Sequence, residues 1–209
     1  PSHFGFDQSC LWQLKKGNSH TIEGKKYDSR HTSPDLSING VAKEFRNGKF
    51  GPDVCVDFIE KFLEANKDES FFVYYPMILP HCPFVPTPGT PDYDPNSPGS
   101  PTYKGDAKYF KNMVEHVDQL VGRIASKVDE LGLSENTLIV FTGDNGTDVP
   151  VVTSLNGKSI AGGKGKADRD SGVRTPFFVT MPGTVQAGKV SNELVDFSDL
   201  LPTFCELAK

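Results

Sequence analysis

Asp144 and Asn145 stand side by side just beyond the β-branched and aromatic run from Thr137 to Thr142, and Gly146 follows them. Carboxylate and amide oxygens are hard donors, suited to Ca²⁺ or Mg²⁺ rather than zinc. The same Asn-Gly pair also suits a tight turn. An EF-hand is excluded, because the run from Asp144 to Asp148 lacks the required glycine and the distal glutamate. His81 is held between Pro80 and, one residue on, Pro83. An imidazole fixed in this way can donate a hydrogen bond to an anion, protonate a leaving group, or simply pack its loop. Lys164 lies among Gly162, Gly163 and Gly165, where small neighbours let backbone and ammonium approach a ligand closely. Its charge suits sulfate or phosphate, with each charge-assisted hydrogen bond contributing about 1.5–3 kcal/mol. A P-loop is excluded, since Lys158 stands where the first glycine belongs and Gly165 where the Ser/Thr belongs. Arg174 could bind an anion, but it reads better as a salt-bridging residue that pins its loop.

These residues need elements to hold them. Asp53 opens an expected helix with Val54, Phe58, Ile59, Phe62 and Leu63 on one face. Residues 71–75, Phe-Phe-Val-Tyr-Tyr, read as a buried strand. Residues 80–101 contain eight prolines, which excludes helix or central strand and leaves an extended surface loop. The clearest pattern is a helix over 107–131, with Met113, Val117, Leu120, Ile124, Val128 and Leu131 as its apolar stripe and Gly132 as its stop. Second and third strands are expected at 137–142 and 176–181, and a last helix at 198–207 with Leu200, Leu201, Phe204 and Leu207 inward. Residues 1–52 read as polar and irregular, with turns at Asn39-Gly40 and Asn47-Gly48. Residues 143–175 hold seven glycines and no hydrophobic period, so they read as a long functional loop.

The order strand, loop, helix, strand is that of a parallel crossover. It predicts an α/β fold with a mixed, mostly parallel sheet flanked by helices. In such sheets ligands collect at the carboxyl ends of the strands. His81 follows the first expected strand, and Asp144 and Asn145 follow the second.

Composition narrows the partners. The 209 residues suffice for one domain, and 16 prolines with 20 glycines imply long loops. A net charge of -5 and no Lys/Arg block give no case for nucleic acid, and no apolar run is long enough to span a membrane. Cys10, Cys55, Cys82 and Cys205 form no C-x-x-C pair and read as unligated or structural thiols, with a disulfide left open.

Taken together, the order and wording of these segments resemble the sulfatase family of the alkaline-phosphatase superfamily over almost the whole chain. His3-Phe4-Gly5-Phe6-Asp7 resembles H-G-F-D with one inserted residue, and Phe71 to Pro83 resembles a strand followed by P-H-x-P. Tyr109 to Gly132 is similar to the family's long helix, and Asn136 to Gly146 to N-T-L-I-V-F-T-x-D-N-G. Gly163-Lys164-Gly165, then Gly172 to Pro176, resemble G-K-G and E-G-G-[IV]-R-x-P, and Val195 to Thr203 the closing helix. The resemblance implies that Asp144 and Asn145 help coordinate a divalent cation, Ca²⁺ with Mg²⁺ as the alternative. It also implies that His81 and Lys164 bind the sulfate group and take part in its transfer. The expected substrate is a small-molecule or carbohydrate sulfate ester, and the expected location is exported: periplasmic, lysosomal or secreted.

None of the four cysteines begins C-x-P-S-R, the family's precursor of its formylglycine nucleophile. That motif, the early acidic metal ligands and a G-K-W-H segment are expected upstream of Pro1, and a C-terminal subdomain after Lys209. Residues 1–209 therefore read as a partial catalytic domain, inactive alone, weak in metal binding, and prone to self-association through exposed sheet surface. Two other readings stay open: a phospho- or phosphonate-ester hydrolase of the same superfamily, and a non-catalytic binding protein that kept the fold. The nucleophile upstream discriminates between them.

Overall fold

The computed structural model describes residues 1–12, 19–46 and 48–208. Its centre is a pair of packed helices, α1 (Gly51–Ala65) and α2 (Phe110–Glu130). Pro52 and Asp53 occupy the first turn of α1, where proline loses no hydrogen bond and a carboxylate favours the helix dipole. The Asn66 side-chain amide donates back to the Phe62 carbonyl at 2.7 Å and closes the other end. Residues 107–109 of the expected second helix form a tighter 3-10 turn capped by Asp106, and the α-helix proper begins at Phe110. Gly132, at φ 70°, ends it as expected, and the Leu133 N–H donates to the Val128 carbonyl at 3.0 Å.

Val56, Phe50, Met113, Val117 and Leu120 form the main core with Leu79, Phe84 and Val151, while Ile59, Leu63 and Val128 form a second cluster. Along the seam of the two helices, Arg123 reaches Asp57 at 2.7 Å and Glu60 at 2.7 Å. His116 meets Asp53 at 2.9 Å. Of the expected faces, Val54, Ile59, Leu63, Met113, Val117, Leu120 and Val128 are buried, while Phe58, Phe62, Ile124 and Leu131 are half-buried and Val56, outside the expected face, is fully buried.

The strands departed more from expectation. Residues 1–52 are not irregular: β1 (Cys10–Trp12), β4 (Asp35–Ile38) and β5 (Val41–Glu44) form an antiparallel sheet, and β2 (Ser19–Ile22) pairs with β3 (Lys25–Asp28). The Asn39-Gly40 turn joins β4 to β5, with both residues at positive φ. The turn placed at Asn47-Gly48 falls partly on Asn47, which lies outside the described residues. Cys10 and Cys55 bring their sulfurs to 3.9 Å, a thiol–thiol hydrogen bond rather than a disulfide.

Residues 71–75 form no strand; Phe72 is 61% exposed, while Phe71 packs edge-on to Phe62 at 6.2 Å and Tyr75 turns inward, its hydroxyl donating to the Pro52 carbonyl at 3.4 Å. With no strand partner for that segment among the described residues, the parallel crossover is not made there. Instead β6 (Ile139–Thr142) pairs antiparallel with β9 (Phe177–Thr180), and every strand pair among the described residues is antiparallel. The mostly parallel character expected of the sheet is thus not seen among the described residues. Aromatic and β-branched composition signals an extended backbone, but the direction of pairing depends on which other strand lies beside it.

Three further corrections concern the loops and the last helix. Within 143–175 the chain folds a hairpin, β7 (Val152–Leu155) with β8 (Lys158–Ala161), through an Asn156-Gly157 turn at positive φ, and a short helix α3 (Asp170–Val173). The apolar face of α4 (Leu200–Leu207) is not buried among the described residues, and Leu201 is 71% exposed. The proline-rich loop begins inside rather than on the surface, with Leu79, Cys82, Phe84 and Val85 in the core. Among the described residues no helix is long and apolar enough to cross a membrane.

Candidate functional site

Lys164 and the Asp144-Asn145 pair are brought together by a knot of glycines. The chain leaves β6 at Thr142 and passes Gly143 to an exposed Asp144 and a half-buried Asn145. The Gly146 N–H then donates to the Gly172 carbonyl at 2.8 Å, and the Lys164 N–H to the Thr147 carbonyl at 3.0 Å. A Cβ on Gly146 would overlap the Ser171 carbonyl, one on Gly162 the Asp148 carbonyl, one on Gly163 the Ser171 hydroxyl, and one on Gly172 the Lys166 carbonyl. Backbone approaches this close require glycine at all four positions. So the three loops 143–148, 162–166 and 170–173 form one packed unit, and the glycine-rich stretch is a positioning device.

The chemistry left on its rim is hard and oxygen-rich. Among the described residues, neither the Asp144 carboxylate nor the Asn145 amide has a hydrogen-bond or ion-pair partner within the chain. Both donors suit an alkaline-earth cation, and both come from one rigid turn. They supply part of a coordination shell: among the described residues no group of three or more His, Cys, Asp or Glu side chains could hold a metal. Asp148, four residues beyond Asp144, has a different role. Its partial burial opposes ionisation, but hydrogen bonds from Lys104 and the Val149 N–H, with the charges of Lys104 and Lys164, hold its carboxyl below the ordinary carboxylate range. Arg174 does not pin its loop, since its contact with Asp170 is 4.0 Å long and fully solvated.

His81 sits on the far side of Tyr103 and Lys104. Its backbone carbonyl accepts from His31 Nε2 at 3.0 Å, and its Nδ1 lies 2.6 Å from the Cys82 carbonyl. An Arg30 amino group also lies 3.2 Å from Nδ1, but the closer contact is to a carbonyl that can only accept, so the geometry favours the tautomer with the proton on Nδ1 and Nε2 left for a ligand. Arg30 donates to the same Cys82 carbonyl at 2.9 Å. The Arg30 guanidinium stacks on Tyr103 at 4.9 Å, Lys104 lies 5.4 Å from the same ring, and Lys104 pairs with Asp148. A continuous line of contacts therefore joins His81 to the loop unit that carries Lys164, Asp144 and Asn145.

Arg30, His31, Tyr103 and Lys104 have no motif in the sequence; Arg30 lies 51 positions before His81, and only folding makes them neighbours. His31 is fully buried against Phe50, and burial pushes its pKa down from 6.5 to about 3. Its Nδ1 is buried without a partner, so a second proton would strand an N–H in the core. Because the unfolded histidine takes that proton below 6.5 and the folded one refuses it until about 3, stability falls as pH drops through this window. The expected contribution is up to about 1.4 kcal/mol per pH unit. Urea unfolding between pH 4 and 7 should give a shallower acid limb for His31→Gln; identical slopes would remove His31 as its source.

Comparison with known proteins bears on the family and the fold. A protein-family model described as Sulfatase matches residues 5–209. N-acetylgalactosamine-6-sulfatase of Mus musculus is 29% identical over 99% of this chain and 36% of its own length. Arylsulfatase H of Homo sapiens is 29% identical over 68% of this chain and 24% of its length. A solved structure titled "Crystal structure of Ps i-CgsB in complex with k-i-k-neocarrahexaose" is 28% identical, with a TM-score of 0.60 over 83% of this chain and 37% of that one. The chain thus spans about a quarter to a third of the length of these curated relatives.

Proposed function

The chain belongs to the sulfatase family, and we propose that the protein it comes from is a sulfuric ester hydrolase in which these four residues work as a unit. Asp144 and Asn145 hold a divalent cation, Ca²⁺ ahead of Mg²⁺, and His81 and Lys164 bind the sulfate group. The observation that supports this reading is the glycine knot, which holds the loop of the two hard oxygen donors and the backbone of Lys164 in one packed unit.

When bound, the cation would neutralise charge on the ester oxygens. The residues of this chain do the rest of what this segment contributes. Lys164 offers a charge-assisted donor to a sulfate oxygen. His81, with its tautomer fixed by the Cys82 carbonyl, presents Nε2, which when protonated can donate to the sulfate or to the departing oxygen. The formylglycine nucleophile belongs outside residues 1–209 in this reading, since no cysteine here has its sequence context. The substrate class is an organic sulfate ester, small-molecule or carbohydrate, handled by an exported enzyme.

The test is turnover by the full-length protein of an aryl sulfate beside the matching aryl phosphate, before and after chelation. Sulfate release should dominate, fall at least tenfold with EGTA, and return on adding Ca²⁺. Preference for the phosphate ester would move the protein to the phosphoester branch of the superfamily. Activity indifferent to chelation would remove the cation from Asp144 and Asn145.

A further inference from the structure

Arg30 ties the His81 loop to Asp28 and Tyr103. Its side chain is only 13% exposed and reaches three partners from one planar group. One amino group lies 3.2 Å from His81 Nδ1 and donates to the Cys82 carbonyl at 2.9 Å. The other pairs with Asp28 at 3.1 Å, and Tyr103 covers the guanidinium face at 4.9 Å. The Arg30 Nε is buried without a partner. A guanidinium engaged on this many sides, with its charge matched by Asp28, is poorly placed to bind a substrate anion itself.

Its position does suit a different task. Arg30 at 2.9 Å and the His81 Nδ1–H at 2.6 Å converge on one carbonyl, whose two lone pairs can serve both donors. The neighbouring residue of the same segment, His31, donates to the His81 carbonyl at 3.0 Å. The 30–31 dipeptide thus grips the 81–82 backbone at two successive carbonyls. Loss of the Arg30 donor would free the Cys82 carbonyl to rotate, and with it the restraint on the imidazole.

We propose that Arg30 is the positioning residue for His81, fixing its tautomer and ring orientation toward the sulfate ester through the shared Cys82 carbonyl. This inference rests on the reading of His81 as a sulfate ligand. Outer partners that orient a ligating histidine are commonly worth 10- to 100-fold in activity.

The experiment is a double-mutant cycle in the full-length protein with an aryl sulfate as substrate. Arg30→Gln should lower kcat by roughly 10- to 100-fold with KM moving less than about threefold. Arg30→Lys, which still donates to the Cys82 carbonyl, should recover part of the loss, and serves for the cycle if the glutamine variant does not fold. In the background of His81→Ala, either substitution at Arg30 should cost little more. Fully additive losses would show that Arg30 acts on folding or on another group, and an unchanged kcat in Arg30→Gln would overturn the proposal alone. If His81→Ala itself turns over normally, the underlying reading of His81 fails, and the proposal with it.

Discussion

Alanine at Lys164 in the full-length protein is expected to lower kcat for a sulfate ester by about 10²–10³, with a smaller rise in KM. The reason lies in where the charge sits. The Lys164 backbone is locked by its hydrogen bond to Thr147, and Gly163 is packed against Ser171, so the root of the side chain cannot drift. Its ammonium contributes to the field that keeps Asp148 ionised, but the hydrogen bond to Asp148 comes from Lys104, which leaves Lys164 available to a substrate oxygen. Developing charge on the sulfate during ester cleavage then meets a preorganised cation. Lys164→Arg should restore only part of the rate, because the planar guanidinium is longer and differently shaped. Steady-state kinetics on the purified variants decide this, and unaltered kcat in Lys164→Ala would take the residue out of the site.

The second large effect is expected at Gly146, which carries no functional group. Gly146→Ala places a methyl group into the Ser171 carbonyl and against Gly172, where nothing flexible can give way. Overpacking of this kind costs about 1–3 kcal/mol of stability. The functional loss should be larger, at least about 100-fold in turnover, because displacement of reacting groups by roughly 1 Å is enough to do that. Asp144 and Asn145 precede the substituted residue directly, so Ca²⁺ affinity should fall together with rate. Isothermal titration and kinetics on one preparation, with a thermal melt to show that α1 and α2 remain packed, give the three readings. A Gly146→Ala protein with normal turnover and normal Ca²⁺ affinity would show that the knot is not what positions the site.

The parts of the molecule that were legible in advance are those governed by local rules. The apolar stripe from Met113 to Val128 predicted α2, and Gly132 predicted its end, because helix periodicity and the left-handed stop are properties of short segments. Asn39-Gly40 announced its turn for the same reason. The hairpin around Asn156-Gly157 carried a similar signal, masked by the surrounding glycines and by strands exposed on both faces. The motif residues His81, Asp144, Asn145 and Lys164 were visible as types and spacings, and the family membership they suggested is shown by the match over residues 5–209.

The sequence by itself determined the two helices, the turns and the chemical inventory, since each depends on residues within a few positions of one another. Tertiary structure alone decided the rest. The antiparallel pairing of β6 with β9 and the unpaired state of residues 71–75 depend on which segments become neighbours across long stretches of chain. Arg30 reaches His81 across 51 positions, a contact that no local pattern encodes. The four glycines read as a loose loop in one dimension and act as a tight joint in three, because the cost of a Cβ depends on what lies opposite it.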